Sequence, residues 1–529
     1  MSTLFRFKNY LLILGLIVFV AIMLVVSVRG LPGNPTPTQL NTPYWKNNGP
    51  FELSPERGRF AFLYSFVENH SFYLQPSLAQ FTAPDVGYWK GHYVSIFPPA
   101  ISFIAIPGYL IGRHFDLSQY GTFLWMSLFA LCNVLLIRLI AIRLGSNAIA
   151  ATIAGITFLF ATPAFAYAVT IYEHHISTFF ILLSIYLFIR FNSLLSILVF
   201  WIVYAFAFTV DYPNLFMMFP LAIATFFKSF FIENLHEHKV IKISFLRVLS
   251  VLAVIIPLTF LLWFNQMSYG NPLKISGTVP TILSVKANGK PNFGEENMKK
   301  KVHLTSLQIA ATPRHSALNF FKPINMLNGF YILLLSPDRG VFVYTPVILF
   351  GIVGLFIANK KKQKYIPLLV GIIGFNFLLY SMWGDPYGGF AFGGRYLIPS
   401  YAILAIYLAL FLTAVSKKKI LLFLFFLVFI YSVSVNTIGA LTSNAIPPQI
   451  QATVLSRVEH RKVNYTFMHD VNILNSNNSK SFIFQQYAKR DMTAWQFDIV
   501  ITGAIIIFIF VLLLIMNKKK IQYAEKNSL

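Results

Sequence analysis

The sequence has almost no cysteine and little negative charge. Its one cysteine, Cys132, excludes an intramolecular disulfide and a cysteine-based metal site. Only 11% of the 529 residues are charged, and the 18 acidic residues are outnumbered by 42 lysines and arginines. The chain also lacks an internal repeat, a coiled-coil pattern and a polar region large enough to fold alone. These absences exclude a fold that is held by disulfides or built from repeats.

What the chain does contain is apolar: 56% of its residues are hydrophobic, 17% are aromatic, and the mean hydropathy is +0.65. This composition is typical of a polytopic membrane protein. The formal net charge of +24 could indicate a nucleic-acid partner, but much of the basic excess directly follows apolar runs, at 360–362, 417–419 and 518–520. Such clusters mark cytoplasmic helix ends, so nucleic acid is not an expected partner, whereas membrane lipids are.

The hydrophobic pattern predicts an all-α fold with about twelve transmembrane helices and both termini in the cytoplasm. We interpret the first run as a retained helix rather than a signal peptide. One further run, 96–112, contains three prolines and does not fit as a span, so we expect a helix in the outer interface within the first outer loop. The predicted spans are 10–28, 121–142, 147–162, 177–190, 194–210, 213–231, 248–264, 343–358, 366–383, 397–415, 420–440 and 498–516.

Three outer segments are long: 29–120, 265–342 and 441–497. The second contains a polar tract at 286–301 that cannot bury apolar surface. Candidate functional residues are concentrated in these segments and at the outer ends of the spans.

The first candidate is Glu56, which follows the first span. We expect Ser54 to cap a helix here with Pro55 at its first position, so that Glu56 lies near the amino end. The helix dipole and Arg57 or Arg59 would favour an ionised carboxylate that can accept a proton. The alternative is a charge cluster that only caps the helix.

Two further carboxylates are alternatives to Glu56 as the catalytic group. Asp85 lies in the first outer segment with Lys90, a candidate phosphate contact, although both are also typical of solvated turns. Asp211 ends the fifth predicted span, where an acidic side chain is costly unless it is paired or used.

The segment Tyr172, Glu173, His174 and His175 closes the outer loop between the third and fourth spans. Adjacent histidines lack the i, i+4 spacing of a helical metal pair, so no metal site is expected. A hydrogen bond or a contact to the donor phosphate is favoured for the histidines, and Tyr172 and Glu173 are candidate substrate contacts.

Arginine is the expected phosphate ligand because its planar fork binds two oxygens and stays charged. Arg395 follows a glycine-rich loop in which Asp385 precedes it and Tyr396 follows it, and both are candidate substrate contacts. Arg57 is the next candidate for the phosphate. Arg339 is expected to pair with its acidic neighbour instead.

Several segments occur in the order found in a known superfamily: ERGR after the first span, PDVGYWKGHYVSIFPPAISFIAIPGYLIG, the EHH loop, GNPL at 270–273, SPDRGVFVYTPVIL at 336–349 and GDPYGGFAFGGRYLIPSY at 384–401. They resemble bacterial GT-C membrane glycosyltransferases, which include protein O-mannosyltransferases and the lipid A aminoarabinose transferase (glycosyltransferase family 39-like). The resemblance covers roughly residues 5–415. It implies a transmembrane catalytic module over 1–415 and a C-terminal hairpin over 416–529.

The resemblance also implies a function. A sugar would pass from a polyprenyl-phosphate donor to a lipid, glycan or protein acceptor, with inversion and without a nucleotide or other cofactor. A carboxylate in the first outer loop would act at the outer, periplasmic face of the bacterial inner membrane. The alternatives are a transporter or flippase of lipid-linked glycans, and a polysaccharide polymerase or ligase. Spans nearly free of charge at mid-membrane count against a transporter.

Overall fold

The computed structural model describes residues 3–46, 48–235, 238–294 and 321–526, and most of these are helical. Of the polar tract predicted at 286–301, residues 295–301 lie outside this described part. The helices are α1 (Thr3–Ser27), α2 (Pro37–Leu40), α3 (Ser54–Glu68), α4 (Pro76–Thr82), α5 (Ala100–His114), α6 (Ser118–Arg143), α7 (Ala148–Phe160), α8 (Ala164–Ala168), α9 (His174–Arg190), α10 (Leu194–Val210), α11 (Asn214–Met217), α12 (Phe219–Phe227), α13 (Phe245–Leu249), α14 (Ile255–Tyr269), α15 (Met326–Leu334), α16 (Val341–Tyr344), α17 (Leu349–Lys360), α18 (Ile366–Ser381), α19 (Ile398–Ala414), α20 (Lys419–Leu441), α21 (Gln449–Val458), α22 (Met468–Asn475), α23 (Phe482–Gln486) and α24 (Ala494–Lys526).

Strands form only three antiparallel hairpins among the described residues. They pair β1 (Gly87–Trp89) with β2 (His92–Val94), β3 (Phe230–Leu235) with β4 (His238–Ile243), and β5 (Ser284–Val285) with β6 (Pro291–Asn292). These short hairpins lie in the loops and leave the fold essentially all-α.

Six described helices are long and apolar enough to cross a membrane: Tyr10–Ser27, Ser118–Arg143, Phe245–Tyr269, Arg395–Ala414, Lys419–Leu441 and Ala494–Asn517. Six shorter apolar helices accompany them, at Ala148–Phe160, His174–Arg190, Leu194–Val210, Pro323–Leu334, Pro346–Lys360 and Ile366–Ser381. The predicted fold, an all-α polytopic membrane protein, is confirmed.

Not every predicted span is a continuous α-helix. The stretch 343–358 is interrupted at Thr345, and 248–264 contains the 3-10 segment Ser250–Val254. The stretch 213–231 contains α11 and α12, which are separated at Met218, and ends in the first residues of β3. Pro220 causes the interruption, because proline has no amide proton for the helical hydrogen bond and its ring clashes with the preceding turn. The chain starts a new helix at Phe219 with Pro220 in its first turn, where proline is tolerated.

The run predicted at 96–112 forms α5, which starts after Pro99 and packs tightly against α6. A Cβ atom on Gly108 would lie 2.2 Å from the Trp125 Cβ atom, and one on Gly112 would lie 2.9 Å from the Gly121 Cα atom. The two helices therefore approach at a distance that only glycine allows. That α5 lies in the membrane interface stays a prediction.

Contacts between loops show which helix ends lie at the same end of the bundle. At one end, Gln363 donates to the carbonyl of Leu144 at 2.7 Å, and the Ser146 and Thr413 hydroxyls lie 2.9 Å apart. These bonds join the loops that carry the basic residues 360–362 and 417–419. The opposite end carries the candidate residues of the amino half of α3, of 172–175 and of 384–396. The basic clusters and the candidate site thus lie at opposite ends of the bundle.

A separate hydrophobic core lies beneath the segment between α1 and α6 and holds α3 in place. Its centre is Phe51, whose ring centroid lies 4.7 Å from that of Phe60, 5.3 Å from that of Phe81 and 5.5 Å from that of Phe123. Buried aromatic pairs of this kind add stabilisation beyond their buried area. The amino end of α3, with Glu56, is therefore fixed by rigid packing on its apolar side.

Candidate active site

The amino end of α3 is capped by Glu56 itself, which corrects the expected cap by Ser54. Leu53 is the N-cap residue, and Glu56 Oε2 accepts the amide protons of Glu52 at 3.0 Å and of Leu53 at 3.2 Å. The Ser54 hydroxyl instead donates to Asp85 Oδ2 at 2.5 Å. A glutamate at the third helical position reaches the free amides at the helix start as well as a serine would.

Glu56 is completely buried, and its second oxygen, Oε1, has no hydrogen-bond partner among the described residues. Burial and the negative charge of Glu52 raise the pKa of Glu56 to about 7, against a smaller opposing effect of Arg29. The carboxyl group is therefore held in a fixed position, is half ionised near neutral pH, and has one oxygen free to exchange a proton.

Two arginines, Arg59 and Arg395, lie close to the ring of the same tyrosine, Tyr172. Arg59 forms an ion pair with Glu173 and lies 5.6 Å from the Tyr172 ring centroid. Arg395 lies at the same distance from that ring and 5.3 Å from the ring of Tyr396. Tyr172 also interacts electrostatically with Glu56. Residues from three distant segments, which the sequence suggested separately, thus form one cluster.

The glycine between the two arginines of the ERGR segment lets this cluster form. A Cβ atom on Gly58 would lie 2.4 Å from Phe97 Cε2, so any larger residue would push that ring away. Arg59 lies 4.8 Å from the same ring centroid. Gly58 thus allows Phe97 to pack under the guanidinium group.

Several buried polar atoms in the cluster have no hydrogen-bond partner among the described residues. Buried polar groups are normally paired, and an unpaired one costs about 1–3 kcal/mol. Their concentration around Tyr172 is therefore typical of a site that receives polar atoms from a ligand. The atoms are Glu56 Oε1, Arg59 Nε, Tyr172 OH, His174 Nε2 and Arg395 Nε.

A mainly apolar cavity of about 520 Å³ adjoins this cluster. Asp85 and Asp211 both line it, together with Phe97, Tyr396 and Trp383. Burial and the negative charge of Glu173 raise the pKa of Asp211 to about 7. The Tyr380 hydroxyl donates to Asp211 Oδ2 at 3.3 Å. The cavity thus combines apolar walls with two carboxylates.

The two adjacent histidines have different surroundings. His175 is fixed by the Ala164 carbonyl, 2.7 Å from Nε2, and by Asn133, whose amide nitrogen lies 3.3 Å from Nδ1. The ring of His174 stacks on Tyr172 at 5.7 Å, and its Nε2 lies 3.8 Å from Glu173 Oε1. Only His174 faces the cluster, and His175 packs into the helix bundle.

Other predicted residues lie outside the cluster or use their donors elsewhere. Lys90 is exposed at the turn between β1 and β2, and Asp385 is exposed and accepts the amide proton of Gly389 at 2.7 Å. Arg57 is buried and donates to the carbonyls of Phe51, at 3.1 Å, and Glu52. Tyr396 does belong to the site, where it stacks on Tyr380 at 4.2 Å.

Arg339 organises the glycine-rich loop rather than pairing with the carboxylate of Asp338. Its guanidinium group donates to the carbonyls of Asp338 at 2.7 Å, Tyr387 at 2.9 Å, Gly389 at 2.9 Å and Ile446 at 3.0 Å. The Asp338 carboxylate accepts bonds from Ser336 and Gln449 instead. Arg339 thereby fixes the loop that leads to Arg395.

Sequence reasoning missed Glu52, which binds two cations from distant parts of the chain. Arg29 Nη1 lies 2.8 Å from Glu52 Oε2, and Lys480 Nζ lies 2.6 Å from Oε1. The amide of Asn444 donates to Oε2 at 2.8 Å. Nothing local in the sequence indicates this network, because Lys480 lies 428 residues after Glu52.

A metal site is not evident in the described part of the chain: no three His, Cys, Asp or Glu residues there form a group that could hold an ion. The positive charges near the carboxylates come from Arg59 and Arg395 instead.

Comparison with solved structures finds similar chains among membrane glycosyltransferases. The archaeal oligosaccharyltransferase AglB from Archaeoglobus fulgidus, in complex with an inhibitory peptide and a dolichol-phosphate, matches with a TM-score of 0.44 and 12% identity over 88% of this chain and 59% of that chain. ArnT from Cupriavidus metallidurans in the apo state matches with a TM-score of 0.42 and 12% identity over 92% of this chain and 76% of that chain.

These solved structures are GT-C glycosyltransferases, the group that the sequence resembles. No protein-family model matches the sequence, and no curated protein gives a significant match. This chain spans 59% of the length of the AglB chain.

Proposed function

We propose that the protein is an integral membrane glycosyltransferase. It transfers a sugar from a polyprenyl-phosphate donor to a lipid, glycan or protein acceptor at the outer face of the bacterial plasma membrane. The transfer inverts the anomeric centre. A carboxylate removes the proton of the acceptor hydroxyl, and arginines stabilise the departing phosphate.

One observation carries this proposal. Two carboxyl groups with a pKa of about 7 adjoin the cluster around Tyr172. Glu56, Arg59 and Arg395 all interact with Tyr172, and Asp211, on which the charges of both arginines act, lines the neighbouring apolar cavity. A base with a pKa near the working pH is well matched to proton abstraction. Guanidinium groups suit a phosphate, and apolar walls suit a prenyl chain.

Glu56 is our choice for the base. Its position is fixed by two backbone amides, and its free oxygen belongs to the group of unpaired atoms around Tyr172. Asp211 is the strongest competitor because it lines the cavity, and Asp85 follows because it already accepts the Ser54 hydroxyl.

The test is incubation of the purified, detergent-solubilised protein with a panel of polyprenyl-phosphate sugars and candidate acceptors. Release of free polyprenyl phosphate that depends on both substrates supports the proposal. Release of a polyprenyl diphosphate from a diphosphate donor would indicate the polymerase or ligase alternative. Movement of an intact lipid-linked sugar across a vesicle membrane, without transfer, would indicate a flippase.

The outer location has its own test, because the orientation rests on the basic clusters. Single cysteines replacing the exposed residues Asn48 and Ser476 should react with an impermeant thiol reagent in intact cells. A cysteine at the exposed Lys361, at the other end of the bundle, should react only after permeabilisation. Labelling of position 361 in intact cells would reverse the proposed orientation.

A further inference from the structure

A second cavity lies at the end of the bundle opposite the candidate active site. Its volume is about 530 Å³, and it is bounded by the end of α9, the end of α12 and the residues before α18. Four basic residues line it, and none of its described lining residues is acidic. They are Arg190, Lys228, Arg247 and Lys364. We call it the basic cavity.

Two of the four cations are fixed by backbone carbonyls. Lys228 Nζ donates to the carbonyls of Phe188 at 2.6 Å and Phe191 at 2.8 Å. Arg247 donates to the carbonyls of Lys228 at 2.9 Å and Asn192 at 3.0 Å. Cations at the carbonyl end of a helix are favoured by its dipole, so these two residues have a structural role and also bring positive charge to the cavity.

The other two cations have a different environment. Arg190 and Lys364 are exposed. Arg190 Cζ lies 5.2 Å from the ring centroid of Phe191, and Lys364 Nζ lies 5.8 Å from that of Tyr365. The positive charges of Arg247 and Lys364 both act on Lys228. An anion in the cavity would offset this repulsion between like charges.

The rim of the cavity is apolar and exposed. Phe191, Phe227 and Phe231 are 41%, 61% and 44% exposed, and Leu195 and Phe245 nearby are 70% and 71% exposed. A soluble anion would use only the cations. A phospholipid would use both features, with its phosphate on the cations and its acyl chains on the rim.

We propose that the basic cavity binds the headgroup of an anionic phospholipid. The site is separate from the proposed transferase site, because α9 starts at His174 beside the candidate active site and ends at Arg190 in the basic cavity. Its 17 residues span about 25 Å. The proposal does not depend on the glycosyltransferase function.

The test uses the purified full-length protein and native mass spectrometry with dioleoyl phosphatidylglycerol and dioleoyl phosphatidylcholine, which share acyl chains. The wild type should bind phosphatidylglycerol more tightly. Loss of each cation should weaken the binding about fivefold, so the double variant Arg190→Gln/Lys364→Gln should weaken it by about 25-fold. Both side chains are exposed, so the double variant should keep its fold. The exchange Arg190→Lys/Lys364→Arg keeps both positive charges, so its affinity for phosphatidylglycerol should be close to that of the wild type.

The matched control is Lys417→Gln/Lys418→Gln, which removes the same charge from exposed residues at the same end of the bundle. It should leave the affinity within about twofold, because these lysines are outside the cavity. Equal losses in the two double variants would reduce the effect to general surface charge and overturn the proposal. Equal binding of the two lipids, or displacement of phosphatidylglycerol by inorganic pyrophosphate at constant ionic strength, would also overturn it.

Discussion

Glu52, just before α3, and Glu56, in its first turn, both have buried side chains, and their electrostatic properties are opposite. Burial opposes ionisation of both. At Glu52 the charges of Lys480 and Arg29 outweigh burial and lower the pKa to about 2. Glu56 has no ion pair among the described residues, and burial together with the charge of Glu52 raises its pKa to about 7. Cation partners, rather than burial, decide which of the two carboxyl groups has its pKa lowered and which has it raised.

The pair combines, in one short segment, an ion-pair network and a carboxyl group with a raised pKa. Glu52 joins the end of α1 to the loop before α23, and so ties the first outer loop to the C-terminal part of the chain. Its permanent negative charge then raises the pKa of Glu56 nearby. The ion-pair network thus fixes the position of the proposed base and also adjusts its proton affinity.

The largest expected effect comes from removing the charge at Glu52. Glu52→Gln leaves Arg29 and Lys480 buried without a counter-ion, which should lower the free energy of unfolding by about 3–5 kcal/mol. Thermal unfolding of the purified protein would measure it. Glu459→Gln is the control, because its ion pair with Arg461 is exposed and should contribute nothing measurable. If Glu52→Gln unfolds at the wild-type temperature, the ion pairs of Glu52 with Arg29 and Lys480 do not stabilise the fold.

The second effect is catalytic. Glu56→Gln keeps the size of the side chain and removes its basicity, so turnover should fall by about 100-fold or more while the protein stays folded and binds donor. Glu68→Gln, at the other end of α3 and bound to Arg113 and Tyr109, is the matched control and should retain turnover. Near-normal turnover in Glu56→Gln with loss in Asp211→Asn or Asp85→Asn would move the base to that aspartate.

The third effect extends the comparison to arginines. Arg395 donates from Nη2 to the Gly388 carbonyl at 2.8 Å, and its Nε has no partner among the described residues. Arg395→Ala should therefore weaken productive use of the donor by about 10- to 150-fold, the equivalent of about 1.5–3 kcal/mol. Arg395→Lys keeps the charge and loses the fork, so its loss should be smaller. Kinetics with saturating acceptor and varied donor would measure both. An unchanged donor dependence in Arg395→Ala would give Arg395 a structural role and make Arg59, the other arginine of the cluster, the next candidate in place of Arg57, whose donors bind the carbonyls of Phe51 and Glu52.

Arg339 provides the contrast for that experiment. Its donors bind four carbonyls, so Arg339→Ala should lower the thermal stability, which Arg395→Ala should change little. If the two alanine variants lose the same thermal stability, then Arg339 and Arg395 do not divide into a structural and a phosphate-binding arginine.

The helices and their approximate ends could be predicted from sequence because long apolar runs determine them locally. The break at Met218 could not be located as readily, since it depends on how Pro220 interrupts one turn. The polar residues near the site could be selected by type and position at the helix ends. Their pairing could not, because Arg59 meets Glu173 only after the chain has returned through several helices. The partners of Glu52 had no local signal at all.

The smallest expected effect is the pH dependence of the reaction. A base must be ionised, so the rate should fall as the pH drops through the pKa of Glu56, at about 7. Between pH 8 and pH 6 the ionised fraction of such a group falls by about tenfold, and kcat/KM should follow it. Glu52 cannot cause this change, because its pKa of about 2 keeps it ionised throughout. Asp211 also has a pKa of about 7, so the profile of Asp211→Asn is needed to separate the two groups. If the acidic limb of the profile has its midpoint near 4.5, the ordinary pKa of a glutamate, then the reaction does not depend on a carboxyl group whose pKa is raised in the way described for Glu56.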